Sequence, residues 1–436
     1  MKLPSKGTSE TDLLARMHEI RREDADWRGG KTFGLVYNAG DEVNTLLANV
    51  YQIFMQTNAL SVAAFPSLRR FEAEILAITA DLLHGPEAAG TLTSGGTESI
   101  CMAIKTARDW ARDHRPAVEH PEVVLPSTAH PAFHKGAHYF GVKTVTVPVD
   151  DKFQVDLDAV RDAVTENTIL LVGSAPGFPQ GVIDPIEKLA AIAQDRDILM
   201  HVDACLGGFM LPFLERLGHE IPAFDFRVPG VTSISADLHK YGFAAKGAST
   251  VMYRDNALRK YQFFTYVDWP GGIYGSPSMA GARGGGPIAG AWAVLHYLGE
   301  EGFVRMARAT METTARFLDG IRAINGLRIL GEPAMSVFAF EADDLNVYAL
   351  GDALDERGWH IDRQQLPPSI HMMVSPVHAQ IVDSFLSDLE AGIEKVREEP
   401  ESAAGMAAMY GMLASVPDRG SVRDFVLDFM DGWYRL

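Results

Sequence analysis

Cysteine is almost missing from these 436 residues: there are two, Cys101 and Cys205. So small a number excludes a disulfide framework and suits a reducing compartment, which makes a cytoplasmic location the expectation. Basic residues are also in deficit, with 39 Lys and Arg against 57 Asp and Glu and a formal net charge of −18. That charge repels phosphate backbones and anionic lipid surfaces, and no local basic patch offsets it, so neither a nucleic-acid partner nor a peripheral membrane role is expected. No stretch approaches the roughly 18 uninterrupted apolar residues of a membrane helix, and Met1 to Glu10 is polar without the apolar centre of a signal peptide. Neither a transmembrane anchor nor export is therefore expected. Internal repeats and low-complexity tracts are lacking too. With 47 % of its residues apolar, the chain can bury a large core and divide into two or three domains.

The apolar pattern changes along the chain. From Thr11 to Asn58 it reads as a helical arm, broken by Arg28-Gly29-Gly30-Lys31 ahead of Tyr37, and residues 1–58 are assigned to that arm. From Phe65 to Met306 short apolar strands alternate with amphipathic helices. The strand candidates are Val123-Val124-Leu125, Lys143 to Val147, Ile169 to Val172, Ile198 to Val202 and Val231 to Ser235. Near-continuous apolar runs of this kind indicate parallel strands covered on both faces, the signature of an α/β domain, here placed at 59–306. Beyond Met306 a long helix leads into Leu327 to Ala339 and a further helix near Asn346 to Arg357, read as a small α+β domain over 307–436.

Three segments carry chemistry. Ser233 to Gly242 (SISADLHKYG) sets Lys240 directly after His239 at the end of an apolar strand, downstream of His201-Val202-Asp203-Ala204 on another. A lysine can hold an aldehyde as an imine, and an upstream aspartate can keep a ring nitrogen protonated, so the pair reads as a pyridoxal phosphate site. Lys240 must then be an uncharged amine, and its pKa is expected to lie below the free value of about 10.4 through desolvation and the cationic cofactor. Lys246 is the competing lysine. His201 shares a face with Asp203 and joins it as a cofactor candidate; a strand-end aspartate that only caps the turn before Gly207-Gly208 fits the same residues. Thr93-Ser94-Gly95-Gly96-Thr97-Glu98 precedes a helical pattern through Ile100, Ile104, Ala107 and Ala111. Glycines and a helix N-terminus there would hold a phosphate, with Thr97 donating a hydroxyl, although a purely structural Gly-Gly turn is equally compatible. His130, His134 and His138 stand at helical spacing, but Pro131 puts His130 ahead of the helix and no Asp, Glu or Cys completes a ligand set, so no metal is expected. His130 is assigned instead to stacking on the cofactor ring, with helix capping as the alternative.

In order along the chain these segments resemble the sphingosine-1-phosphate lyase family, fold-type-I pyridoxal phosphate enzymes of the group II decarboxylase superfamily. The matching stretches are TSGGTESI (Thr93 to Ile100), HPAFHKGAHYFG (His130 to Gly141), Val182 to Pro185, HVDACLGGF (His201 to Phe209), Phe224 to Lys240, Lys246-Gly247, Gln262-Phe263-Phe264, Gly271 to Pro277, Pro367 to His371 and Tyr410-Gly411-Met412. The resemblance implies a mostly parallel sheet with helices on both faces, Lys240 bonded to the cofactor, Asp203 on the pyridine nitrogen and His130 on the ring. It further implies that Gly95, Gly96, Thr97 and His239 hold the cofactor phosphate, that Tyr37 and Lys246 approach the substrate head group, and that the enzyme is a homodimer with its active site at the interface. Gly281 and Ala282 lie in a turn, Ala280-Gly281-Ala282-Arg283, that in the family reaches the neighbouring subunit's cofactor and usually has serine at the third position. The family's Asn-Pro-Leu-His-x-Asp is here Asn58-Ala59-Leu60-Ser61-Val62-Ala63, with Ser61 in place of a substrate-phosphate histidine. Gly177 and Gln180 replace a glutamine and a histidine, and Ala245 a proline. The implied activity is retro-aldol cleavage of the Cα–Cβ bond of a small phosphorylated amino alcohol such as sphingosine 1-phosphate, giving a long-chain aldehyde and phosphoethanolamine. The alternatives are an amino-acid decarboxylase and an aldolase for another β-hydroxy amino compound.

Overall fold

The computed structural model describes residues 2–61, 63–399, 406–407, 409–410, 416 and 418–435, so Met1, Val62, Gly411 and Met412 of the segments above lie outside the described residues. The central sheet has seven strands: β1 (Ala89–Thr93), β2 (Glu122–Pro126), β3 (Lys143–Val147), β4 (Thr168–Ser174), β5 (Leu199–Asp203), β6 (Ser233–Ala236) and β7 (Ser249–Tyr253). Their spatial order is β1-β7-β6-β5-β4-β2-β3. All pairs from β3 to β6 are parallel, and β7 runs antiparallel to both neighbours. Every residue of β2, β4 and β5 is buried, which is why their sequences are apolar without alternation. β1 and β7 are equally enclosed but escape that pattern, because Gly90, Thr91, Thr93, Ser249 and Thr250 dilute it.

The N-terminal region carries two α-helices, α1 (Glu10–Ile20) and α2 (Asp41–Phe54), one on each side of the Arg28-Gly29-Gly30-Lys31 stretch. Ser9 caps α1 by accepting from the Asp12 N–H at 3.1 Å, and no residue of α1 is buried in this chain. The stretch between them carries Tyr37 inward. Next come α3 (Pro66–Leu82), α4 (Gly96–His114) and α5 (Ala132–Phe140). A hairpin, β8 (Phe264–Tyr266) with β9 (Tyr274–Ser276), projects Phe264, Val267, Trp269 and Ile273 into solvent.

The long helix expected after Met306 starts earlier, at Gly285, and runs to Ala323 with a kink at Gly299 (φ 55°), so residue 306 lies within its second arm. It leads into an antiparallel sheet of β10 (Leu327–Ile329), β11 (Val337–Ala342), β12 (Asp362–Gln365) and β13 (Pro368–Met373), ordered β10-β11-β13-β12. This sheet has its own aromatic core, where Phe33 from the N-terminal region packs on Phe317, Trp359 and Phe385. Asn346 stands just outside the helix Val347–Asp355 as its cap, its side-chain oxygen accepting from the Tyr348 and Ala349 N–H groups.

Parallel strands aligned in this way end at one edge, which is where α/β proteins place their ligands. Gly181 joins that edge to the C-terminal sheet: its φ is 71°, its carbonyl accepts from the Ala334 N–H at 2.9 Å, and a Cβ there would overlap the Val337 carbonyl. Gly181→Ala is expected to cost at least about 1–3 kcal/mol, read as a lower urea midpoint; unchanged unfolding would contradict this docking.

Candidate active site

Beyond the carboxyl ends of β4, β5 and β6 lies a cavity of about 350 Å3 lined by Gly95, Gly96, Thr97, His130, Phe178, Asp203, Cys205, Asp237, His239 and Lys240, among others. That volume is within the range of small-ligand sites. Its floor is the start of α4. Ser94 donates both its N–H (2.7 Å) and its hydroxyl (2.6 Å) to Glu98, one turn on, while the other Glu98 oxygen accepts from the Met279 N–H at 2.9 Å. The loop is thereby fixed before any ligand arrives. A Cβ on Gly96 would come within 2.7 Å of Cys205 Sγ and 2.8 Å of Asp237 Oδ2, so only glycine lets the backbone sit there. An exposed helix start with unshielded N–H groups suits a phosphate.

Asp203 ends β5. Its Oδ1 accepts from the Cys205 N–H (3.1 Å) and the Ser235 hydroxyl (3.3 Å), and Oδ2 has no hydrogen-bond partner among the described residues. His201 is fully buried and does not line the cavity. It lies on the same face as Asp203 but two residues back along the strand, about 6–7 Å deeper. Because a carboxylate only accepts, Ser235 donates to Asp203, and His201 Nε2 must donate to Ser235 at 3.2 Å while Nδ1 accepts from Ser233 at 2.9 Å. The direct cofactor contact expected of His201 does not fit this placement, since His201 lies off the cavity and reaches Asp203 only through Ser235.

His130 stands at the cavity wall. Its Nδ1 accepts from the Ala132 N–H at 3.1 Å, capping α5 and leaving the proton on Nε2; the ring meets Phe178 edge-on at 6.2 Å. Both readings of His130 are compatible with this position. His134 bonds the Thr144 hydroxyl at 3.0 Å and His138 tilts onto Tyr139, so neither turns toward His130.

Lys240 follows a turn after β6. Its Nζ is 3.1 Å from Asp237 Oδ2, a buried oxygen that makes no directional hydrogen bond, while Oδ1 accepts from Ser249 at 2.5 Å. Burial opposes the Lys240 ammonium, but the Asp237 carboxylate overrides it and raises the lysine pKa above its ordinary value. Without the cofactor, Asp237 outweighs the desolvation that the expected lowering invoked; the lowering expected beside the cationic cofactor did not weigh Asp237. The sequence did hold a signal: an acidic residue three positions before a lysine, across a turn, falls within its reach. Burial opposes the Asp237 charge as well, yet Lys240, His239 and Ser249 keep its pKa below the usual carboxylate value. The next residue, Tyr241, anchors the lysine by donating to the Val374 carbonyl at 3.0 Å and accepting from Ser336 at 2.8 Å.

Tyr37 and Lys246 gather on the far side of Lys240, outside the cavity lining. Tyr37 packs edge-on against Tyr241 at 4.9 Å, and its buried phenol has a raised pKa. Lys246 Nζ lies 4.9 Å over the Tyr37 ring and donates to the His239 carbonyl at 3.1 Å; burial, then Lys240, lower its pKa to about 8. His239 accepts from the Ala248 N–H at 3.2 Å through Nδ1, and burial lowers its pKa to about 4. Ala282 lines an adjoining groove with Ser94 and Glu98, and Gly281 lies beside Tyr274. Arg283 of the same turn bonds Asn58 and Ala59 and pairs with Glu72, so this turn packs on the segment that carries Ser61. Gln180 is buried with its side-chain nitrogen unpartnered among the described residues.

An unengaged carboxylate oxygen, a lysine, a glycine-lined helix start and an imidazole around one cavity fit pyridoxal phosphate, and with this sheet they define the class of pyridoxal-phosphate-dependent enzymes. The family model described as pyridoxal-dependent decarboxylase conserved domain matches residues 2–343. The sphingosine-1-phosphate lyase of Arabidopsis thaliana is 44 % identical over 99 % of this chain and 81 % of its own. A solved structure of the Burkholderia pseudomallei sphingosine-1-phosphate lyase superposes with a TM-score of 0.91 at 40 % identity, covering 100 % of this chain and 97 % of that one. Lactobacillus brevis glutamate decarboxylase, at 21 % identity, shares the fold, with a TM-score of 0.80 over 90 % of this chain and 94 % of its own. The chain belongs to the sphingosine-1-phosphate lyase family and is a pyridoxal-phosphate-dependent lyase. No described helix is long and apolar enough to cross a membrane.

Burial lowers the pKa values of His201, His239 and His371 to about 4, against about 6.5 in an unfolded chain. Between those values the unfolded state binds more protons, so stability falls on acidification from about pH 6.5 toward 4, by about 1–2 kcal/mol per histidine at pH 5. Urea unfolding at neutral pH and near pH 5 checks this; equal stabilities would contradict it.

Proposed function

We propose that this enzyme cleaves the Cα–Cβ bond of a phosphorylated amino alcohol, sphingosine 1-phosphate or a close relative, into a long-chain aldehyde and phosphoethanolamine. The single observation that carries the reading is the near-full-length likeness to sphingosine-1-phosphate lyases, at 44 % identity to the Arabidopsis thaliana enzyme. Pyridoxal phosphate, when bound, supplies an electron sink for the pair left behind when that bond breaks. Lys240 is the lysine that bonds to it. Asp203 presents Oδ2 to the pyridine nitrogen, and Ser235 and the Cys205 N–H hold the carboxylate in place through Oδ1. His130 covers the ring, its proton fixed on Nε2 by the Ala132 bond. Gly95, Gly96 and Thr97, with His239, take the phosphate at the start of α4.

Lys246 is the better proton acceptor for the substrate's β-hydroxyl. With a pKa near 8 it is partly free amine at neutral pH, whereas the raised pKa of Tyr37 keeps its phenol protonated and suits it to donating a hydrogen bond. Ser61, in place of the family histidine, is expected to change how the substrate phosphate is held and so which amino alcohol is preferred.

A homodimer with the active site at its interface is the assembly we favour, in the cytoplasm. The exposed Leu13, Met17 and Ile20 of α1, and Phe264, Trp269 and Ile273 of the hairpin, offer apolar surface for a second copy.

Lys240→Ala is expected to abolish both the visible absorbance of the bound cofactor and aldehyde release. Lys246→Ala should keep the absorbance and lower kcat by about 10²–10⁴-fold. Phosphorylated amino alcohols and β-hydroxy amino acids are assayed with aldehyde and CO2 measured separately. Release of CO2 without aldehyde, or full activity in Lys240→Ala, would overturn the reading.

A further inference from the structure

Asp237 belongs to none of the roles assigned above, yet it is the charged group closest to Lys240. It is 1 % exposed, with Oδ2 3.1 Å from the Lys240 ammonium and 3.7 Å from His239 Nε2. Behind it runs a line of buried hydroxyls. Ser249 Oγ is 2.5 Å from Asp237 Oδ1, Ser99 Oγ is 2.8 Å from Ser249, and Thr93 Oγ1 is 2.6 Å from Ser99.

Each hydroxyl has one proton, and a carboxylate can only accept. Ser249 therefore donates to Asp237, Ser99 to Ser249 and Thr93 to Ser99, so every proton in the line points toward the carboxylate. These hydroxyls come from the end of β1, from α4 and from β7, so the main supports of the cavity converge on one oxygen. The charged and titratable groups facing Lys240 are Asp237 and His239 on its own loop, Asp203 and Cys205 at the end of β5, His130 before α5, Tyr37 from the N-terminal region, and Tyr241 and Lys246 just after it. Of these only Asp237 is within ion-pair distance of Nζ.

We propose that Asp237 is the proton partner of Lys240: it pins the amine as an ammonium until an aldehyde arrives, and the one-way hydroxyl line from Thr93 through Ser99 and Ser249 keeps it ionised for that task. The inference rests on Lys240 being the cofactor-bonding lysine. Before its nitrogen can attack a carbonyl carbon, one proton must leave Nζ for solvent, and the ionised Asp237 Oδ2, 3.1 Å away, raises the pH at which it does so. Asp237 is thus a positioning residue that sets the pH at which Lys240 becomes available.

The test follows visible absorbance as pyridoxal phosphate is added to the cofactor-stripped full-length chain over a range of pH, in wild type, Asp237→Asn and Ser249→Ala. With the carboxylate gone, the pH of half-maximal absorbance should fall by about 1–3 units, and Ser249→Ala should shift it the same way by less. Loss of shape alone would lower the amplitude without moving the midpoint in that direction. A wild-type midpoint in Asp237→Asn, or in Ser249→Ala if the first variant does not fold, overturns the proposal. Wild-type protein that gains no absorbance at any pH would instead sink the assignment of Lys240.

Discussion

An ammonium and a carboxylate held 3.1 Å apart, the carboxylate buried and the lysine at the cavity wall, is the contact on which the rest of this site depends. Neither charge could remain there alone, since an unpaired buried ion costs several kcal/mol. The surrounding structure is arranged accordingly. Tyr241 clamps the lysine's backbone to the C-terminal sheet, Ser249 satisfies the carboxylate from the antiparallel strand β7, and the glycine at position 96 makes room for Asp237 beneath the start of α4. Strand β7, the one antiparallel member of the sheet, thereby helps set the charge state of the group that the parallel strands deliver.

Around that pair, charge is distributed by burial. His130 and His239 in the cavity wall, and His201 buried behind it, are held below their ordinary pKa by desolvation, so all three act as neutral donors and acceptors with defined tautomers. The free charges are few and placed: Asp203 with one unengaged oxygen, Lys246 poised near pH 8, and the Lys240–Asp237 pair. Neutral imidazoles make directional contacts without adding charge, and the glycine-lined helix start beside them suits an anion.

Much of this was legible in the sequence because burial leaves a mark on composition. Strands β2, β4 and β5 read as apolar runs since both faces are covered, and Asp203 and Lys240 read as chemistry because polar residues at the ends of apolar strands need a reason. What failed to show has physical causes. β1 and β7 carry glycine, serine and threonine, of which Thr93 and Ser249 serve the hydroxyl line, so their hydrophobic pattern is weak. The depth of His201 depends on distance along a strand, which face-sharing alone does not give. The Lys240–Asp237 pair was missed although the three-residue spacing allows it, because backbone conformation decides whether a turn closes such a contact. Ser61 and the turn Ala280 to Arg283 were matched by likeness alone, since neither composition nor periodicity marks them.

The account stands on one covalent attachment. Pyridoxal phosphate bound to the full-length protein, fixed by borohydride reduction and located by peptide mass mapping, tests it most directly. The phosphopyridoxyl group is predicted on Lys240; finding it on Lys246 or on any other lysine would contradict the account.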